Sequence, residues 1–324
     1  MFGNIVALLG ALMLLPALAW GQGAIGTVGK VGCLENPKKI SRLEITQPGV
    51  YENFLLDGRG AGGNLVKITA DHVTVRHCEI YGGSGNAIGV FGANVVIENC
   101  RIHHMLSGTF KEQNDAHGIA GRWGSVVIRN CDIGLVSGDC IQFDPDRASS
   151  GSVTIERCHL WTGPLPAAAA GFKAGERPGE NAVDTKTKAD GPRCVLKISR
   201  CLMNGFNQPA QIQNAAALNL KENVDAEVRE CVFHDNEIAL RVRGPGKRGG
   251  AHVSVVDCAL YETLSGVRAE DKIEQLKLLG LGFGRGVGER IRFVNGKASA
   301  GYENKGEHTA PAMELLLQKG FTTP

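Results

Sequence analysis

The sequence is poor in aromatic residues and carries almost no net charge. Only 6% of its 324 residues are Phe, Trp or Tyr, and the formal net charge is +2. An apolar content of 43% with so little net charge excludes an intrinsically disordered chain. The missing basic excess argues against nucleic acid as a partner. Ten cysteines are too few for a small scaffold held together by disulfides.

Several motifs of catalysis and metal binding are also missing. The chain has no G-x-S-x-G nucleophile elbow and no CxxC pair. It has no Walker or dinucleotide-binding glycine motif between a strand and a helix. These absences exclude the common nucleotide-binding folds and the serine hydrolases with a nucleophile elbow.

The N-terminal segment has no charged side chain before Lys30. An apolar run from Ile5 to Ala19 ends in the small-residue pattern Ala17-Leu18-Ala19, which is typical of a secretory signal peptide. We therefore predict a signal peptide over residues 1–19 and a secreted or periplasmic protein. No later apolar run reaches the roughly 20 residues of a membrane span, so we expect no membrane partner after cleavage.

Seven segments repeat one pattern, in which alternating apolar residues are followed by a cysteine. Alternation with period two predicts a short strand before each cysteine. The cysteines of this ladder are Cys78, Cys100, Cys131, Cys158, Cys201, Cys231 and Cys258. Because buried thiols behave as small apolar groups, we expect these seven to be free and stacked in the core. Cys194 lies close enough in sequence to Cys201 to pair with it.

A second ladder of strands lies upstream of the cysteines. Its members, read in one register, are residues 64–69, 86–91, 117–122, 139–144, 181–186, 216–221, 238–243 and 265–270. The first coils repeat after 22 residues, as from Cys78 to Cys100. A four-stranded propeller blade needs about 40 residues, so the short repeat favours a parallel β-helix.

With these two ladders, the chain resembles the right-handed parallel β-helix proteins of the pectate-lyase-like superfamily over roughly residues 50–295. The resemblance implies an all-β fold: a single-stranded right-handed parallel β-helix of about eight to ten coils with N- and C-terminal caps. We expect an N-terminal cap over residues 20–50, the β-helix domain over 51–295 and a C-terminal tail or cap over 296–324. We expect a monomer.

Outward positions of the upstream ladder carry the candidate functional residues. If the third and fifth residues of each strand point inward, the fourth and sixth point outward. The fourth column contains Gln142, Asp184, Asn219, Arg241 and Arg268, and the sixth contains Asp144, Lys186, Lys221 and Arg243. Neighbouring cations on coils about 4.8 Å apart repel one another, and an anionic ligand would relieve this repulsion. The alternative is a solvated face with compensating charges.

Four acidic residues predict a possible metal site. Asp139, Asp144, Glu180 and Asp184 fall on two adjacent coils, and converging carboxylates suit Ca²⁺. Asp115 and His117 precede them by one coil. His117 is interpreted as a polar wall residue, with a metal ligand as the less favoured alternative.

The resemblance also implies an activity, namely that of a polysaccharide lyase acting on a uronate-containing anionic polysaccharide by β-elimination. Lys186, Lys221 and Arg243 are then the candidate bases, with Lys186 or Lys221 preferred because Arg resists deprotonation. Gln142, Asn219, Arg241 and Arg268 would bind the substrate. One alternative is a glycoside hydrolase with paired carboxylates, although an Asp-Asp pair and Gly-His-Gly, hallmarks of polygalacturonases, are missing. Another is a non-catalytic secreted β-helix that binds carbohydrate or acts as an adhesin.

Overall fold

The structure is a computed structural model that describes residues 25–144, 151–187, 191–207, 214–244, 250–298 and 300–317. The predicted signal peptide lies outside the described residues. The chain winds through successive coils, and each coil contributes one strand to each of three faces. Every strand pair between coils is parallel. The predicted all-β parallel β-helix is therefore confirmed.

Face 1 corresponds to the upstream ladder of the sequence. Its strands are Leu43–Ile45, Asn64–Ile68, Asn86–Val90, Ile119–Gly121, Ile141–Phe143, Asn181–Thr185, Ala216–Leu220, the second halves of Val232–Arg243 and Ala259–Glu270, and Glu289–Phe293. Face 2 consists of the strands that precede the ladder cysteines in the sequence. Its strands are Gly49–Glu52, Val73–Arg76, Val95–Glu98, Val126–Arg129, Ser152–Glu156, Cys194–Ser199, Val224–Arg229, His252–Val256, Gln275–Leu279 and Tyr302–Lys305.

Face 3 follows the ladder cysteines. Its strands are Lys38–Ile40, Phe54–Asp57, Glu79–Tyr81, Arg101–Met105, Asp132–Val136, His159–Trp161, Leu202–Asn204, the first halves of Val232–Arg243 and Ala259–Glu270, Gly282–Phe283 and His308–Thr309. The two long strands run through the corner between faces 3 and 1, which joins these faces into one hydrogen-bonded sheet. The helix Met313–Leu317 follows. No helix among the described residues is long and apolar enough to cross a bilayer.

The core is filled by alternate residues of each strand. In Asn64–Ile68, Val66 and Ile68 are fully buried and Lys67 between them is exposed. The seven ladder cysteines are free and buried at the corner between faces 2 and 3, as predicted. Cys194 is also free, so the possible pairing with Cys201 is not formed.

The corner before each ladder cysteine depends on a left-handed backbone conformation. The residue preceding each cysteine has φ between 50° and 53°; these residues are His77, Asn99, Asn130, Arg157, Arg200, Glu230 and Asp257. Asn and Asp tolerate this conformation better than most residues. Stacking the same corner in every coil lets the main chain turn without breaking the strand pairing on either side.

Parallel strands also occur within the segments predicted as N- and C-terminal caps. Lys38–Ile40 and Leu43–Ile45 pair with the next coil from within the predicted N-terminal cap. Tyr302–Lys305 and His308–Thr309, within the predicted C-terminal segment, pair with the preceding coil. The cysteine pattern ends at Cys258 because the next buried corner position, in register with it, is Leu281.

Candidate functional site

The predicted fourth column of face 1 is in register through the whole helix. Strand pairing aligns Lys67, Gly89, Ala120, Gln142, Asp184, Asn219, Arg241 and Arg268. Gln142, Asp184 and Asn219 face away from the core, yet they are only 7%, 4% and 6% exposed. The outer side of face 1 is therefore recessed in its middle and is not an open solvated surface. We call this recess, which runs from the coil of Asn64 to that of Arg268, the groove.

The first positions of five repeats of the upstream ladder form a polar ladder along one side of the groove. Its members are Asn64, Asn86, His117, Asp139 and Asn181. The side chain of Asn86 donates to Asn64 over 3.1 Å, and that of Asn181 donates to Asp139 over 2.7 Å. The backbone N–H of His117 donates to Asn86 Oδ1 over 3.2 Å. Five coils are thus linked by side-chain hydrogen bonds as well as by the sheet.

His117 has its proton position fixed by this ladder. Its Nδ1 accepts the backbone N–H of Asp139 over 2.9 Å, so the neutral ring carries its hydrogen on Nε2. Burial lowers the pKa of His117; the charge of Asp115 partly opposes this effect, and that of Lys186 adds to it. Nε2 lies 3.9 Å from the exposed Asp115 carboxylate. His117 therefore presents an N–H donor to the groove, in line with its interpretation as a polar wall residue.

The carboxyl group of Asp139 is almost completely buried, with 1% exposure. Burial raises its pKa well above the ordinary value, and the nearby charges of Asp184 and Glu180 act in the same direction. Burial likewise raises the pKa of Glu180, with contributions from Asp115 and Asp184. Both predicted metal ligands thus have neighbouring carboxylates that disfavour their charged forms.

Asp184 is engaged by Lys221. Its Oδ1 lies 3.0 Å from the Lys221 ammonium, and both side chains are mostly buried. Burial raises the pKa of Asp184, and Lys221 partly opposes this effect. No group of three or more His, Cys, Asp or Glu residues in the described ranges could hold a metal ion. The residues present do not fit the predicted Ca²⁺ site, so we derive no step through a metal.

Lys186 differs from Lys221 because its ammonium group has no hydrogen-bond or ion-pair partner among the described residues. Its backbone is fixed, since its N–H donates to Phe143 and its carbonyl accepts the indole N–H of Trp123 over 2.8 Å. Its charge contributes to the lowered pKa of His117 and partly opposes the raised pKa values of Glu180 and Asp184. Lys186 is thus a half-buried cation beside the polar groups of the groove and available to a ligand.

The three arginines at the C-terminal end of the groove share one carboxylate. Arg241 binds Glu270 through two hydrogen bonds of 3.0 and 2.9 Å. Arg268 Nε lies 2.9 Å and Arg243 Nε 3.4 Å from the same carboxylate. Arg268 also donates to Asn214 Oδ1. Glu270 holds the cluster together while leaving an excess of positive charge. Next to this cluster, Asn219 Oδ1 is buried with no hydrogen-bond partner in the described part of the chain.

A cavity of about 340 Å³ opens at the N-terminal end of the groove. It is lined by Asn64, Asn86, Phe91, Asp115, His117, Ala120, Gly121, Arg122, Gln142 and Asp144. Its volume is in the range of small-ligand sites, about 300–1,000 Å³. Phe91 and Arg122 are not among the site residues predicted from the sequence, although both belong to the sixth column. The small residues Gly89 and Ala120 in the fourth column could have indicated this cavity, because they leave room on the outer side of their coils.

The comparisons with known proteins agree with this fold. The family model for the right handed beta helix region matches residues 51–163. The predicted right-handed parallel β-helix is thus confirmed, and with it the predicted resemblance to this class of proteins. No curated protein sequence matches the chain significantly.

Solved structures similar to the chain include enzymes that act on polysaccharides. Pectate lyase Pel9A is 13% identical, with 89% of this chain and 71% of that chain covered and a TM-score of 0.48. The alginate lyase from Paenibacillus sp. str. FPU-7 is 13% identical, with coverages of 86% and 87% and a TM-score of 0.48. The tailspike protein gp49 of Acinetobacter baumannii bacteriophage Fri1, a capsular polysaccharide depolymerase, is 10% identical, with coverages of 91% and 55% and a TM-score of 0.40.

Proposed function

We propose that the chain is a secreted polysaccharide lyase that binds a uronate-containing polysaccharide along the groove and cleaves it by β-elimination. The observation that carries this proposal is the ammonium group of Lys186. It lies beside the polar ladder of the groove with no carboxylate partner among the described residues. A cation in this state can meet an anionic substrate without first breaking an internal ion pair.

The chemistry requires a base next to a neutralised carboxylate. The neutral amine of Lys186 takes the proton from the carbon next to the uronate carboxylate. Lys186 must first release one proton to solvent to act in this way. The electrons of the C–H bond form a carbon–carbon double bond, and the bond between the next carbon and the glycosidic oxygen breaks with its electron pair going to the oxygen. That oxygen takes a proton from water or from the ammonium group formed on Lys186, which gives the free hydroxyl of the leaving chain. Cations and N–H donors that neutralise the carboxylate stabilise the negative charge that develops on it. His117 offers such a donor, since its Nδ1 is already occupied.

The predicted bases are not equivalent in the structure. The ammonium group of Lys221 is held 3.0 Å from Asp184 Oδ1, so it is engaged in an internal ion pair rather than facing the substrate. Arg243 is held near Glu270, and a guanidinium is not deprotonated in proteins. Lys186 is therefore our proposed base. Lys221 positions Asp184, and the arginine cluster binds anionic groups of the polymer further along the groove.

Hydrolysis is the second candidate function. It is favoured by the raised pKa values of Asp139 and Glu180, because a general acid must be protonated at working pH. Paired carboxyl groups of this kind serve inverting and retaining glycosidases. The lyase is preferred because Asp139 is almost inaccessible, whereas Lys186 is not.

The test compares the wild type with Lys186→Ala on polygalacturonate, alginate and glycosaminoglycans. We expect wild-type turnover to produce the ultraviolet absorbance of unsaturated uronates. Because general base catalysis contributes about 10²–10⁴-fold, Lys186→Ala should lower kcat by at least about 100-fold without changing the melting temperature. Lys67→Ala is the matched control, since Lys67 lies on face 1 but is paired with Glu44.

Each other result has a distinct meaning. Full activity of Lys186→Ala would remove this residue from the mechanism. New reducing ends without ultraviolet absorbance would favour the hydrolase. Binding without either product would favour a non-catalytic carbohydrate-binding protein.

A further inference from the structure

Two cations of face 1 lack a carboxylate partner within the described ranges, and only one of them has a role so far. Lys67, Lys221 and the arginines at the C-terminal end of face 1 are paired with Glu or Asp. The remaining two are Lys186 and Arg122. Both belong to the sixth column, with the coil of Asp144 between them. The coils of Arg122 and Lys186 are therefore about 10 Å apart, so the two cations would bind different parts of an extended ligand.

The position and the unsatisfied hydrogen-bonding capacity of the Arg122 guanidinium favour binding of an anion. Its guanidinium lies 5.6 Å from the centroid of the Phe91 ring, which holds the group in place over an apolar surface. Its Nε is buried with no hydrogen-bond partner among the described residues. Leaving a buried donor of a charged group unsatisfied costs free energy, which a ligand would recover. The group also lines the cavity of about 340 Å³ at the N-terminal end of the groove.

The other walls of this cavity restrict where a negative charge can lie. Asp115 and Asp144 line the same cavity and repel an anion. Neutral donors come from Asn86 and Gln142, and these suit sugar hydroxyl groups. An anionic sugar that enters the cavity is therefore oriented with its charge towards Arg122.

We propose that Arg122 is a specificity-determining residue that binds the carboxylate of the sugar unit in this cavity. The inference rests on the proposed function, in which another unit of the same polymer lies at Lys186. The substrate is then a polyuronate that has free carboxylates on units other than the one that is cleaved. A planar guanidinium can bind such a carboxylate through two parallel hydrogen bonds.

The experiment measures binding rather than turnover. The full-length wild type, Arg122→Met and Arg122→Lys are compared by affinity electrophoresis in gels containing polygalacturonate or alginate, each as the free acid and as an ester. Arg122→Met keeps an apolar side chain on Phe91 and should fold normally, which its melting temperature checks. Lys67→Met is the control, because it removes a paired cation from the same face.

We expect the wild type to be retarded by at least one free-acid polymer and much less by its ester. Arg122→Met should bind that free acid about tenfold more weakly or worse, because a charged hydrogen bond is lost. Its affinity for the ester should not change, and Arg122→Lys should be intermediate. The inference is overturned if Arg122→Met binds the free acid like the wild type, if it loses affinity for acid and ester equally, or if neither free acid retards the wild type. Failure of the lyase proposal would appear separately, as bound polymer that is never cleaved or as full activity of Lys186→Ala.

Discussion

At the scale of single residues, the ladder cysteines act as small apolar groups that fit a crowded corner. The Cys131 thiol is fully buried and lies 3.3 Å from the carbonyl oxygen of Arg129 and 3.7 Å from that of Ile97. The alternating pattern before each cysteine was enough to predict this environment from the sequence. The pairing of Lys221 with Asp184 could not be predicted in the same way, because contacts between neighbouring columns depend on side-chain rotamers.

Replacing Cys131 by Ala tests the packing role. Removing one buried sulfur should lower the free energy of unfolding by about 1 kcal/mol, since it deletes apolar contacts and leaves a small void. Urea denaturation followed by circular dichroism measures the change. Cys33→Ala is the control, because Cys33 is only partly buried, and it should have little effect. A melting temperature of the wild type that falls on addition of reductant would contradict the free-thiol interpretation.

At the scale of strands, the polar ladder explains why the groove is both polar and rigid. Asn181 accepts the backbone N–H of Ala216 over 3.3 Å and donates to Asp139 over 2.7 Å, so it joins three coils. The first-position column of Asn, His and Asp was not predicted from the sequence, which cannot show that each of these residues bonds to the next coil. This bonding depends on strand register, and the loops inserted between strands hide that register in the spacing of the motifs.

Asn181→Ala should therefore destabilise the protein by about 2 kcal/mol or more, because it leaves a buried N–H and a buried carboxyl oxygen unsatisfied. The comparison is Arg76→Ala on face 2. Arg76 and its partner Glu52 have side chains that are 40% and 45% exposed, so that loss should stay below about 1 kcal/mol. Equilibrium unfolding of both variants provides the measurement. Equal effects would show that the ladder contributes no more than a surface ion pair.

At the scale of the whole molecule, residues 25–34 cross several coils instead of forming one. The N–H of Gly26 donates to Arg200, and that of Gly32 donates to Asn99. Between them, Val28 is held by the side chain of Asn130 through its N–H and its carbonyl, at 2.6 and 2.8 Å. Arg200, Asn130 and Asn99 each precede a ladder cysteine, so this segment lies along the corner between faces 2 and 3. In a solenoid each coil touches only its neighbours, and a segment that spans coils adds contacts over a longer range.

Asn130→Gly should loosen this segment while leaving the coils intact. Glycine keeps the positive φ of 52° at this corner without strain but removes the hydrogen bonds to Val28. Two bonds of about 0.5–1.5 kcal/mol each should then be missing, so amide hydrogen exchange in residues 25–34 should rise about tenfold, with little change elsewhere. Asn99→Gly is the matched control, since its φ is 53° and its side chain is bonded to Asn130 rather than to the segment. Unchanged exchange in Asn130→Gly would mean that packing of Ile25 against Leu202 and Val232 holds the segment without these hydrogen bonds.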